Sequence, residues 1–365
     1  MKKIFYAITA PLVASFVVFF SWAQLFTAVD EHPREYKNVI LMIGDGMGEN
    51  TLAAAKAATG KPLVMETFSV RAQSKTNAWP GFILTDSAAG GTALSCGIRT
   101  GIGYVAVSPW DPLQVFGTPS TIAEQALANG KAAGVVTTDK TSGATPASFC
   151  SHAESRDNEA KISLGELTSG MDLIWGAASK SITKENAAAN GFSYVNNKTD
   201  WQALSSKERS FAQFSLDDLA NTQHPEVTPT LKEMTEKAID RLDDNENGFF
   251  LMVEGAHIDK YSHANDLANC VRYVYVFDEA IAAAKAYADA RDDTLILITA
   301  DHETGGITQK NGQYVYTTDG HSMANVPVFC NKTDAGFQSG FAYKNRRIGA
   351  QLGRVLGIDS KKFPG

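Results

Sequence analysis

Short runs of apolar residues recur along this 365-residue chain, and they are continuous rather than alternating with polar residues. Lys37–Ile43 (KNVILMI), Ala133–Thr137 (AGVVT), Met171–Trp175 (MDLIW), Gly248–Val253 (GFFLMV), Thr294–Thr299 (TLILIT) and Val326–Phe329 all have this character. A strand reads this way when both of its faces are buried. Helical patterns separate the runs: through Leu52–Lys56, from the Thr121/Glu124 capping-box pair to Asn129-Gly130, from Thr228-Pro229 to Leu242, along an Ala-rich stretch from Leu267 to Ala290, and from Asn345 to Leu356. Strands alternating with helices predict an α/β fold with a largely parallel central sheet covered on both sides. Ligands of such sheets gather beyond the carboxyl ends of the strands, so chemistry-bearing residues are expected directly after the runs.

The chain begins with Lys2 and Lys3, then runs apolar from Ile4 to about Ala23, ending in Ser21-Trp22-Ala23. This is the pattern of a signal peptide over residues 1–23, with an uncleaved N-terminal membrane anchor as the competing reading. Either way the body is exported, to the periplasm or the extracellular space. Residues 30–365 are expected to form a single catalytic domain, with a polar excursion at about 180–227 rich in Asn, Ser, Lys and Asp. The 33 basic and 40 acidic residues give a net charge of -7 with no basic block, which excludes nucleic acid as a partner. Cys96, Cys150, Cys270 and Cys330 are widely spaced, and either form two disulfides or are small buried hydrophobes in a chain long enough to build a core without staples.

The run Thr85–Gly97 (TDSAAGGTALSCG) predicts a helix of small residues with Ser87 at its N-terminus, where the first peptide N–H groups would suit a phosphate. Taken alone, Asp86 or Ser87 reads as a helix N-cap. Gly44-x-Gly46-x-Gly48 lacks dinucleotide spacing and carries Asp45 where a pyrophosphate would approach, so a nucleotide site is rejected. The expected polar residues do follow the strands: Asp45 after the first, Thr145 and Arg156 after Ala133–Thr137, Glu254 after Gly248–Val253, and Asp301-His302 after Thr294–Thr299. Three carboxylates at one edge repel each other unless cations are present. A helix beginning near Ile258 would put Asp259 and His263 one turn apart on one face, as two ligands of one ion require. Asp301 and His302 converge only where their strand breaks, which Gly305-Gly306 suggests. His321 in a polar loop supplies another imidazole. Mixed His and carboxylate sites favour zinc, while an all-oxygen group of Asp45, Glu254 and Thr145 suits magnesium. His32, His152, His224 and His257 read as ordinary histidines.

The stretches NVILMIGDGMG, TDSAAGGTALSCG, ATPASFCSHAESR, VEGAHIDKYSH, TADHETGG and GHSMANVPVF together resemble the alkaline phosphatase family from about Lys37 to Phe329. The resemblance implies an α/β/α sandwich, a homodimer, and two Zn and one Mg per chain. It implies hydrolysis of small-molecule phosphomonoesters through a phosphoserine at Ser87, with Arg156 gripping the phosphate. Asp259, His263 and His321 would hold the zinc that activates water, and Asp45, Asp301 and His302 the zinc that activates Ser87. Asp45, Thr145 and Glu254 would hold magnesium, and Lys260 would reach the phosphate through water. Asp86 caps the helix or orients Arg156. Where relatives place an aspartate or histidine two residues before Thr145, this chain has Gly143, which implies a third ion held more weakly or through extra water. The segment between Glu303 and Gly320 is too short for the large surface insertion of some relatives.

Two rivals define the tests. One is a phosphodiesterase or mutase of the same superfamily, for which Arg156 would have less use because a diester has one fewer charged oxygen. The other is a non-catalytic periplasmic metal- or phosphate-binding protein, which has no use for a nucleophile at a helix N-terminus. Ser87 lacks the Pro and Arg of the modified-residue motif of sulfatases.

Overall fold

A computed structural model of the chain describes residues 33–108, 118–205, 208–220 and 225–359. The leader at 1–23, His32, the loop residues Pro109–Pro112 and His224 lie outside the described residues. In chain order the strands are β1 (Asn38–Gly44), β2 (Val70–Lys75), β3 (Ala132–Lys140), β4 (Leu173–Ala177), β5 (Ser193–Val195), β6 (Ser210–Phe214), β7 (Phe249–Gly255) and β8 (Thr294–Thr299). Four short strands follow, β9 (Glu303–Thr304), β10 (Thr308–Lys310), β11 (Gln313–Val315) and β12 (His321–Ser322), and then β13 (Val326–Cys330) and β14 (Ala342–Lys344). One sheet has the order β14-β2-β13-β8-β1-β7-β3-β4-β6-β5, while β9 pairs with β12 and β10 with β11. From β8 to β5 all neighbours are parallel, and β13 alone runs against β8 and β2.

The continuous apolar runs are explained by cores on both faces of this sheet. Ile40 and Met42 of β1 join Phe249, Leu251 and Val253 of β7 in one core, which is covered by Val274, Phe277 and Ile281 of the helix Leu267–Asp289. The intervening Val39, Leu41, Ile43, Phe250 and Met252 face the other core, covered by Ile122, Ile348 and Leu352. Parallel register then aligns the strand ends: Ile43 lies opposite both Glu254 and Thr299, and Glu254 opposite Thr137. All the predicted strand-end residues therefore open at one carboxyl edge.

Two expectations need correction. The polar stretch at 180–227 is not a surface excursion throughout, because it contributes β5 and β6 to the sheet, and all of β6 is buried together with Trp201. The helix expected to start with Pro229 at its first position starts instead at Leu231, after Thr230. A reciprocal capping box decides this, with the Thr230 hydroxyl accepting from the Glu233 amide and the Glu233 carboxylate from the Thr230 amide. The alternating strand β2 and the edge strand β14 were not anticipated from the sequence. All four cysteines are buried and free, so the fold bears out the reading of small hydrophobes.

Candidate active site

Ser87 opens the helix Ser87–Cys96, every residue of which is buried. Its small residues are required by close approach. A Cβ on Gly90 would lie 2.7 Å from the Asp301 carbonyl oxygen, and one on Gly91 would lie 3.0 Å from Ser148 Oγ. The helix is thus pressed against the end of β8 on one side and the helix Ala144–Cys150 on the other, carrying Ser87 into the polar edge of the sheet.

The Ser87 hydroxyl lies 3.1 Å from His302 Nε2 and 3.5 Å from Asp45 Oδ2. His302 Nε2 in turn lies 3.3 Å from Asp301 Oδ2 and 3.5 Å from Asp45 Oδ1. The strand break expected after Thr299 allows this convergence, with Gly305 and Gly306 both at positive φ (91° and 54°). A second cluster adjoins the first. The helix His257–His263 brings His263 Nε2 within 3.4 Å of Asp259 Oδ1, and the β9–β12 hairpin brings His321 Nε2 within 3.2 Å of His263 Nε2 and 3.9 Å of Asp259. Donor atoms of Asp45, Asp301 and His302 lie within 4.8 Å of one another, as do those of Asp259, His302 and His321.

The hydrogen bonds on the far side of each imidazole set its tautomer. His321 Nδ1 lies 2.7 Å from the Thr85 carbonyl, and His263 Nδ1 contacts the Asp319 carbonyl. A carbonyl only accepts, so both Nδ1 atoms carry a proton and both Nε2 atoms are left facing the site. The two Nε2 atoms lie 3.2 Å apart, a separation that a shared proton or a bound cation would bridge. Thr304 Oγ1 donates to Asp259 and so accepts from His302 Nδ1 at 3.2 Å, which turns the lone pair of His302 Nε2 toward Ser87 and the carboxylates. Carboxylates and carbonyls orienting ligating imidazoles in this way are typical of metal centres.

The carboxylates make the same demand. Asp45 Oδ1, Asp301 Oδ2 and Thr145 Oγ1 are buried and accept or donate no hydrogen bond. Burial, reinforced by Asp301, Asp259 and Glu254, pushes the Asp45 carboxyl well above the ordinary range. Burial likewise raises Asp301, and burial together with the nearby Asp139 charge pushes Glu254 up to about 8. Burial holds His302 down at about 3, so it is a neutral donor at physiological pH. A cluster of this composition fits cations. The donors of that cluster are a mixture of oxygen and nitrogen.

Asp86 does both of the things proposed for it. Its Oδ1 accepts from the Ala89 amide as the helix cap, and its Oδ2 accepts from Arg156 Nη1 at 3.0 Å and from the Gly103 amide at 3.1 Å. The guanidinium is thereby hung beside Ser87. Asp86→Ala should lower stability by about 0.5–2 kcal/mol through loss of the cap, read as a shift of the urea midpoint. Asp86→Asn should keep the cap and the midpoint while weakening competitive inhibition by phosphate, because the neutral amide no longer holds Arg156. Equal effects of both variants on the midpoint would refute this division of labour.

The alkaline phosphatase family model matches residues 36–172 and 165–346. The chain belongs to the alkaline phosphatase family. Among relatives, alkaline phosphatase 4 of Bacillus subtilis is 34% identical over 306 residues, covering 77% of this chain and 64% of that protein. Alkaline phosphatase 3 of the same organism is 35% identical, covering 74% of this chain and 62% of its own length. The matched region thus spans a little under two thirds of these relatives. The solved structure of the alkaline phosphatase from the Antarctic bacterium TAB5 superposes with a TM-score of 0.77 at 27% identity, covering 90% of this chain and 99% of that one. A variant of that enzyme with Mg bound gives a TM-score of 0.76.

Within this alkaline phosphatase family member, Asp45, Asp259, Asp301, His302 and His321 bring donor atoms together, and two other predicted residues are engaged in unforeseen ways. Lys260 Nζ is paired with Asp139 Oδ1 at 2.5 Å, and the Glu254 carboxylate accepts from the Thr137 hydroxyl. Sequence reasoning passed over Asp139, Thr304 and Glu303. Glu303 is buried and accepts from the Gly306 and Ile307 amides and the Ser322 hydroxyl, which ties the β9–β12 hairpin that delivers His321. The acidic residue inside Asp301-His302-Glu303-Thr304 was the available signal. His152 pairs with Glu124, and His257 stacks on Tyr273, as ordinary histidines do.

Proposed function

We propose that this protein is a metal-dependent phosphomonoesterase that acts through a phosphoserine at Ser87. The observation that carries the reading is the contact of Ser87 Oγ with His302 Nε2 and Asp45 at a helix N-terminus, with Arg156 held alongside by Asp86. Asp259, His263 and His321 would hold one zinc, Asp45, Asp301 and His302 a second, and Asp45, Thr145 and Glu254 one magnesium. Two zinc ions in such a site lower the pKa of serine and water and stabilise the attacking and leaving oxygens.

The chain's own residues do the rest. Ser87 Oγ forms a bond to phosphorus as the ester P–O bond breaks and the alcohol leaves. Water then displaces Ser87 from the opposite side, releasing inorganic phosphate and restoring the hydroxyl. Arg156 binds two nonbridging oxygens in its planar fork, and the helix dipole favours their charge. The Mg-containing TAB5 variant supports a magnesium-type third site.

The test is the rate on p-nitrophenyl phosphate against bis-p-nitrophenyl phosphate, with metal analysis and trapping of phosphorylated serine. Faster monoester turnover with two zinc ions per chain is expected; predominant diester cleavage would sink the reading, and metal and phosphate binding without turnover would favour the binding-protein rival. Arg156→Ala should weaken phosphate inhibition about 10- to 150-fold, the worth of a charged hydrogen-bonding group. Unchanged inhibition would remove Arg156 from the site.

Export belongs to the same proposal and rests on residues 1–23; among the described residues no helix is long and apolar enough to cross a membrane. Homodimer formation rests on the family resemblance and on exposed apolar side chains, Trp79, Phe82, Leu84, Ile102 and Met323. Light scattering on the mature protein checks it.

A further inference from the structure

The magnesium site of the proposed enzyme has a glycine, Gly143, at the position for which the family resemblance implies an aspartate or histidine. That space is already filled. A Cβ on Gly143 would lie 3.2 Å from Asp139 Oδ2 and 2.9 Å from the Lys140 carbonyl, which accepts from the Gly143 amide in a tight turn. The turn thus leaves no room for a side chain at 143 and places the carboxylate of Asp139 there instead.

Asp139 is positioned on both sides. Its amide donates to Thr137 Oγ1 at 2.9 Å, and the same hydroxyl donates to Glu254, so the backbone at 139 and the Glu254 carboxylate are fixed by one group. Its Oδ1 is held by Lys260, leaving Oδ2 on the Gly143 side. Two residues past Gly143, Thr145 is 1% exposed and its hydroxyl has no partner. An unpaired buried hydroxyl and two anchored carboxylates around one turn form the oxygen-rich wall that a hard cation with its retained water requires.

The geometry points to Asp139 as a positioning residue of the third cation site, supplying from four residues earlier the anionic group that Gly143 lacks. It rests on the proposed function above. The third ion is therefore held more firmly than the glycine alone implies. Partners behind the direct ligands typically contribute 10- to 100-fold in metal affinity.

The test is magnesium titration of the zinc-loaded, full-length protein by calorimetry, with thermal unfolding as a second readout. Wild type should bind one magnesium, and Asp139→Asn should bind it about 10- to 100-fold more weakly with zinc content unchanged. Lys260→Ala removes the opposing cation and should leave magnesium affinity equal or tighter. Equal weakening by Asp139→Asn and Lys260→Ala would mean the pair is only a structural latch and would overturn the inference. Loss of magnesium in Glu254→Gln but not in Asp139→Asn would also overturn it while leaving the third site intact. No magnesium binding by wild type would remove the third site itself, and with it the role of Asp139.

Discussion

Ser87→Ala should reduce phosphomonoester turnover by about four to six orders of magnitude, on the scale of losing an enzyme's nucleophile, and should abolish the trapped phosphoenzyme. Among the described residues, Ser87 Oγ is the single hydroxyl within hydrogen-bond contact of both His302 and Asp45. The helix cap belongs to Asp86, so removing the hydroxyl leaves the Ala89 bond and the fold in place. The variant should therefore unfold at the wild-type denaturant midpoint and keep its zinc. Any residual rate measures what Arg156 and the cations provide by binding alone. Retention of a covalent phosphoenzyme, or a drop of less than tenfold, would reassign the nucleophile.

Asp45→Asn should produce the second large effect, and with opposite signs in two states. Asp45 is the carboxylate common to the proposed second zinc and magnesium sites, so the variant should lose both ions and fall in activity by at least about three orders of magnitude. In excess zinc it should be the less stable protein, because saturation at about 1,000 times the dissociation constant is worth about 4 kcal/mol to wild type. After exhaustive chelation the order should reverse. Asp45 is then a carboxyl whose pKa is pushed up by burial first and by the charges of Asp301, Asp259 and Glu254 second, and a neutral amide relieves both costs. Paired thermal melts with zinc and with chelator measure both signs. A variant destabilised equally in both would show that Asp45 acts through packing and hydrogen bonding, not through cations.

The legibility of this site in the sequence followed the physics of its parts. Asp45, Glu254 and Asp301 were readable because each ends an apolar run that had to be a buried strand. Asp259 and His263 were readable because a helical turn has a set spacing. Thr304 and Glu303 were not, since their work is done by hydrogen bonds to His302, Asp259 and the Ile307 amide. The β5–β6 edge was obscured for a different reason: its strands are short, and the polar helices around them dominate the local composition.

The sequence by itself determined the α/β class, the edge at which the site opens and the chemical types of its donors, because burial of continuous apolar runs leaves few arrangements and strand ends are where polar residues can emerge. Only the tertiary structure decided which groups meet. Asp86 turned out to serve the helix and Arg156 at once, one oxygen for each. His263 and His321, 58 positions apart, turn their Nε2 atoms toward each other because two backbone carbonyls accept from their Nδ1 atoms. Asp139 Oδ2 comes to lie 3.2 Å from where a Cβ on Gly143 would stand. Those outcomes depend on parallel register and on the turn that sets loop against loop, and spacing along a chain carries neither.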